Sequence, residues 1–105
     1  MENLIDVLKF NKSGLYVVDE GDTLDSIAKK FNTTERVIYV DNSLDKEICK
    51  GNVLFIRCYS NIYEVKVEDT LQSISKSCNI SVEELKRINY IEYIYPTQKL
   101  IIDKY

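Results

Sequence analysis

Hydrophobic and polar positions alternate along this chain in blocks that each point to one element. Leu15-Tyr16-Val17-Val18 is a short β-branched and aromatic run, which predicts a strand. A polar break from Asp19 to Asp22 follows, with Gly21 able to turn the chain at positive φ. Leu24, Ile27, Ala28 and Phe31 then recur at i, i+3, i+4 and i+7, the spacing of one apolar helical face. Asp22 is the expected N-cap of this helix, and Asn32 suits its left-handed end. A second helix is expected after Thr34, with Val37 and Ile38 inward and Asn42 as its stop. Val53-Leu54-Phe55-Ile56 closes the block as a strand.

The pattern then returns. Tyr16 to Ile27 reappears as Tyr63 to Ile74, an offset of 47 residues. Leu71, Ile74, Ser75 and Cys78 take the helical face, and Asp69 with Gln72 has capping-box spacing. Asn79 ends that helix. Ser81-Val82-Glu83-Glu84 predicts a capping box for the next, with Ile80 and Leu85 spaced as a hydrophobic staple. Val82, Leu85 and Ile88 face inward, Asn89 is the stop, and Lys99 to Ile102 is the closing strand. Internal repetition at this period marks two copies of one small unit. The predicted fold class is α+β: two tandem β-α-α-β units, each a two-stranded antiparallel sheet with two helices packed on one face. The expected boundaries are an N-terminal extension 1–13, unit one 14–57, a short linker 58–61 and unit two 62–105. The connector is not Gly/Ser-rich, so the units are expected to touch or to have restricted relative motion. Leu4, Ile5 and Leu8 suit one amphipathic turn packing on unit one, with fraying the equal alternative for a terminal segment.

Composition narrows the chemistry. The 105 residues carry a net charge of −3, and no Lys/Arg run exceeds two, which argues against nucleic acid as a partner. There is no His, and the three cysteines Cys49, Cys58 and Cys78 lack C-x-x-C spacing, so neither zinc nor another cofactor is expected. A hydroxyl or thiol nucleophile would lack an imidazole partner, and Glu83 and Glu84 suit first-turn charges at a helix dipole, so no catalysis is expected. No segment has the apolar length of a membrane span. Residues 1–10 are interrupted by acids and do not read as a signal peptide, so synthesis in the cytoplasm is expected.

These residues resemble the LysM family. Tyr16 to Phe31 follows its opening motif Y-x-V-x-x-G-D-T-L-x-x-I-A-x-x-F. Ser81, Glu83, Glu84, Leu85 and Asn89 match its middle, and Ile94, Pro96, Gln98, Leu100 and Ile102 match its ending. The resemblance implies binding of glycans containing N-acetylglucosamine, such as peptidoglycan or chitin, in a shallow groove. That groove lies between the loop before the first helix and the loop after the second. Carried over by position, the first groove has Gly21, Asp22, Thr23 and Leu24 with Asn42, Ser43, Leu44 and Ile48. The second has Glu68, Asp69, Thr70 and Leu71 with Asn89, Tyr90, Ile91 and Ile94.

Departures from the motif are expected to matter. Glu68 replaces the motif Gly and predicts a different first turn in unit two. Unit one has Lys50-Gly51-Asn52 where the family favours Pro-Gly-Gln, and unit two has Thr97 between Pro96 and Gln98. Tyr90, Tyr93 and Tyr95 cluster in one loop, where they suit either stacking on a sugar or packing against protein. The resemblance also implies a second role, docking on a protein partner during assembly, since LysM units occur in spore-envelope and phage-tail proteins. Delivery to a spore envelope, a phage particle or the cell wall is the corresponding expectation for location.

Overall fold

The computed structural model describes residues 13–103, and it divides into two compact units between Tyr59 and Ser60. The expectation for Leu4, Ile5 and Leu8 lies outside the described residues. In unit one, strand β1 (Ser13–Val17) leads to helix α1 (Leu24–Phe31), helix α2 (Glu35–Asp41) and strand β2 (Val53–Arg57). In unit two, β3 (Ile62–Glu64) leads to α3 (Leu71–Cys78), α4 (Val82–Asn89) and β4 (Lys99–Ile101). Each unit has one antiparallel pair, β1 with β2 and β3 with β4, which is the β-α-α-β architecture expected.

The register equates Tyr16↔Leu54 with Tyr63↔Leu100, so the offset falls from 47 at the first strand to 46 at the closing strand. Unit two is therefore one residue shorter in the loop after its second helix. The core of unit one gathers Tyr16, Val18, Ile27, Ala28, Phe31, Ile38, Leu54, Ile56 and Cys58. Unit two buries Val65, Ile74, Ile80, Leu85, Ile88, Leu100 and Ile101. The predicted inward positions Val37, Ile38, Leu85 and Ile88 are buried, while Val82 is half-buried. On the outer faces, unit one exposes Leu15, Val17 and Val53, whereas unit two pairs Lys99 with Glu64 at 2.8 Å.

The residues expected as a linker are each held by their own unit. Cys58 is in the first core, and the Tyr59 N–H donates to the Asn32 carbonyl at 3.1 Å. The Asp103 carboxylate accepts the N–H groups of Ser60 and Asn61 at 2.8 and 2.7 Å.

Helix caps differ from expectation in an instructive way. Asp22 is not the N-cap of α1; Thr23 is, in a reciprocal box with Ser26 (3.0 and 2.9 Å). Asp69 and Gln72 form no box either, because Thr70 and Ser73 form it at 2.9 Å in both directions. A short Ser at the third helical position does the work usually done by Glu or Gln. Before α4, Ser81 caps the Glu84 N–H at 3.1 Å, but the Glu84 carboxylate turns away to pair with Arg87. The expected box is thus only half made. Asn89 is the last residue of α4 rather than its cap, and Tyr90 is the left-handed cap at φ 56°.

Asn32 and Asn79 end α1 and α3 in the left-handed region, as expected. The next residue then folds back, with Thr33 N–H bonding Ala28 and Ile80 N–H bonding Ser75. This position favours an apolar side chain that covers the helix end. Ile80 supplies one, but Thr33 is 6% exposed and its hydroxyl has no hydrogen-bond partner. Burying an unpaired hydroxyl is costly, so Thr33→Val is expected to stabilise unit one by about 1 kcal/mol. Denaturant unfolding of the variant against the parent measures this.

Candidate functional site

The site begins with a latch that the sequence did not reveal. The loop before each first helix is held by its own aspartate. Asp22 accepts the Tyr16 hydroxyl at 2.5 Å and the Asp19 N–H at 2.8 Å. Asp69 accepts the Tyr63 hydroxyl at 2.6 Å and the Lys66 N–H at 2.7 Å. Bonds from Asp22 N–H to Asp19 and from Asp69 N–H to Lys66 close both turns. Gly21 sits at φ 86°, which suits a type II turn, whereas Glu68 is not left-handed. The expected difference in turn is real, yet the same latch closes both loops. The Tyr-x5-Asp spacing, present twice, was the available signal.

The electrostatics follow from these bonds. The Tyr16 hydroxyl, which stabilises the charged form, is the main force holding the Asp22 carboxyl below the ordinary carboxylate range; the Tyr63 hydroxyl does the same for Asp69. Tyr16 is pushed up mainly by burial and then by Asp22; Tyr63 is pushed up first by its bond to Asp69. In unit one Lys30 adds a third member, donating to the Tyr16 hydroxyl at 3.2 Å and lying 3.9 Å from Asp22. A carboxylate with a lowered folded pKa contributes stability above its unfolded pKa, about 3.9, and that contribution is lost as pH falls through the folded value. A phenol with a raised pKa contributes below about 10 and loses its effect as pH rises through the folded value. Melting temperature is therefore expected to fall below about pH 4. In the double variant Tyr16→Phe, Tyr63→Phe, that acid limb should be shallower, as thermal melts from neutral to acid pH would show.

The far side of each groove is set by the end of the second helix. Leu44 N–H bonds Tyr39 and Ser43 N–H bonds Val40; Ile91 N–H bonds Lys86 and Tyr90 N–H bonds Arg87. Both are Schellman ends, with Ser43 (φ 48°) and Tyr90 (φ 56°) in the left-handed position usually given to Gly. This geometry folds Leu44 and Ile91 back toward their own cores. Leu24, Leu44 and Ile48 are half-buried and pack against the core of unit one. In unit two Leu71 and Ile94 are half-buried and Ile91 is buried.

Asn42 and Asn89 have side chains committed elsewhere. The Asn89 amide donates to Leu85 and Ile101 carbonyls at 2.8 and 2.9 Å and accepts the Ile101 N–H at 2.6 Å. Asn42 does the same with Ile38, Phe55 and the Phe55 N–H at 2.8, 2.9 and 2.7 Å. Phe55 and Ile101 occupy ladder positions whose N–H and C=O point away from the partner strand. Each Asn caps that open edge from the helix end.

The closing turns are alike despite different sequences. Gly51 (φ 93°) and Thr97 (φ 74°) both donate their N–H at 2.8 Å, to Val18 and Val65 respectively. Asn52 and Gln98 side chains accept the N–H groups of Cys49 and Tyr95 at 2.8 and 3.0 Å. These turns fasten the second loop beside the first.

Of the sixteen positions expected in the grooves, Asp22, Asp69, Asn42, Asn89, Thr23 and Thr70 use their side chains to build the loops. Leu24, Leu44, Ile48, Leu71 and Ile94 are half-buried, and Ile91 is buried. Gly21, Ser43 and Glu68 are exposed, and so is the φ 56° residue Tyr90. Among the described residues no group of His, Cys, Asp and Glu could hold a metal ion, and no helix is long and apolar enough to cross a membrane.

Comparison with solved structures finds the spore cortex-lytic enzyme SleL of Bacillus cereus, 26% identical with a TM-score of 0.43, covering 89% of this chain and 23% of that one. SleL of Bacillus megaterium QM B1551 is 23% identical with a TM-score of 0.44, covering 86% and 22%. The ectodomain of a receptor like kinase is 19% identical with a TM-score of 0.36, covering 85% and 56%. The chain thus spans about a quarter of the SleL proteins it matches. No curated protein matches it. The LysM domain family matches at residues 16–47 and again at 63–103, most of the chain and once per unit. With the same latch, the same Schellman end and the same closing turn in each half, the chain belongs to the LysM family as two consecutive LysM repeats.

Proposed function

We propose that this chain is a non-catalytic binder of glycans containing N-acetylglucosamine, with peptidoglycan the foremost candidate. The observation that carries the reading is the pairing of LysM membership with an apolar group, Leu24, Leu44 and Ile48, left half-buried on the core of unit one. An N-acetyl group offers a methyl for such a cluster and an amide for backbone groups at the helix ends. Asp22 and Asp69, the acids that fasten the first loops, are locked by tyrosine hydroxyls and held below the ordinary carboxylate range, the opposite of what a general acid needs. Single contacts in a shallow groove are weak, and two linked units gain on a polymer through effective concentration. The proposed setting is a chain made in the cytoplasm and brought to wall glycan in a spore envelope, a phage particle or the cell wall.

Co-sedimentation with insoluble peptidoglycan and with chitin tests the reading. The chain is expected to be retained and to be released by N-acetylglucosamine oligomers. No retention at low salt on either polymer would contradict it.

A further inference from the structure

The two units share a scaffold, so what one groove has beyond the other is not required by folding. The largest difference lies in the loop after the second helix. Unit one fills it with Asp45, Lys46, Glu47 and Cys49, while unit two, one residue shorter, has Glu92, Tyr93 and Tyr95 around the inward Ile94. Tyr93 is 75% exposed and Tyr95 is 55% exposed. Two tyrosines left this open on one short loop are an amphipathic surface: a flat apolar face with a hydroxyl at the edge.

The backbone that carries these rings is held in place, and the loop itself bears one charge. The Tyr95 carbonyl accepts the Gln98 N–H at 3.2 Å, its N–H donates to the Gln98 side chain at 3.0 Å, and Thr97 ties the same turn to Val65 at 2.8 Å. Val65 immediately precedes the first loop, so the turn that follows Tyr95 is tied to the rim of that loop. The single charge between Tyr90 and Gln98 is Glu92, which lies 3.9 Å from Lys86. A neutral ring with an apolar C–H face and a hydroxylated edge complements this rim. A charged peptide does not.

Resting on the glycan-binding reading above, we propose that unit two is the stronger of the two sites and that Tyr93 and Tyr95 form a stacking platform. The platform takes a sugar ring beyond those seated in the groove, so unit two prefers longer glycans. Ordered aromatic faces lose little freedom on binding.

The test is calorimetric titration of the full chain with N-acetylglucosamine oligomers from dimer to hexamer, with amide shifts followed in parallel. Two sources are used, chitin oligomers and the glycan strands of peptidoglycan. Affinity of the parent should rise with length, and shifts should concentrate in the loops of unit two. In Tyr93→Ala, Tyr95→Ala the hexamer-to-dimer affinity ratio should fall about three- to tenfold, the range that aromatic contacts support. Tyr93→Phe, Tyr95→Phe should keep most of that ratio, because it keeps the rings. An unchanged ratio in the alanine variant, an equal loss in the phenylalanine variant, or shifts confined to unit one would each overturn the platform while leaving glycan binding intact. No binding of any oligomer by the parent would overturn glycan binding itself and the platform with it.

Discussion

Asn89→Leu should abolish the folded state of unit two. Asn89 is 2% exposed, and its side chain bonds the Leu85 carbonyl in its own helix and both polar backbone groups of Ile101 in β4. Leucine has a similar volume but leaves the Ile101 N–H and C=O without partners in a dry place, while the Leu85 carbonyl keeps its helical bond. Each such orphan costs about 1–3 kcal/mol, so a total loss of about 2–6 kcal/mol is expected. A unit this size has only about 2–7 kcal/mol of stability in all. Asn89→Asp separates the parts, because it keeps the acceptor for Ile101 N–H and loses both donors. Asn42→Leu should cost less, since Asn42 is only half-buried and water can reach the groups it leaves. Denaturant melts with hydrogen exchange on residues 60–103 read all three. Native protection of β4 in Asn89→Leu would refute the assignment of this side chain to the scaffold.

Phe31→Ala should do comparable damage to unit one. Phe31 is 2% exposed and meets the Tyr16 ring edge-on at 5.1 Å and 66°. Removing a buried phenylalanine costs about 3–5 kcal/mol through lost transfer energy and the cavity left behind. The loss reaches the candidate groove, because Leu24, Leu44 and Ile48 pack on the same core, and the latch ring Tyr16 loses its neighbour. Unit two has Cys78, half-buried, in the aligned place, so Cys78→Ala should be far milder. Amide protection over residues 13–59 measures the first effect. Retained protection there would show that the core does not depend on this ring.

The elements and their order were legible because each depends on local periodicity: a β-branched run, an i, i+3, i+4, i+7 stripe, an Asn at the helix end. Two sets of details were not. The caps moved by one residue, since Asp22 and Asp69 have a stronger call on them from Tyr16 and Tyr63, leaving Thr23 and Thr70 to cap. Glu84, spaced for a box, found Arg87 instead. The roles of Asn42 and Asn89 also escaped local reading. Each satisfies a strand residue twelve or thirteen positions away, a bond that exists only once helix and strand have met. The apolar positions proposed for the grooves lie at or in the cores, as their patterning suggests, whereas Asp22, Asp69, Asn42, Asn89, Thr23 and Thr70 are the loops' own fastenings.

In the proposed function, glycan is read by the apolar and backbone groups of the grooves, while Asp22, Asp69, Asn42 and Asn89 hold the loops. An amide-resolved titration of the full chain with an N-acetylglucosamine oligomer up to about millimolar, the range of a weak single site, tests it most directly. The predicted result is shifts at Thr23, Leu24, Leu44 and Ile48, at Thr70, Leu71, Ile91 and Ile94, or at both sets, with the side-chain amides of Asn42 and Asn89 unmoved. Shifts absent from both sets, or led by those two asparagine amides, would contradict it.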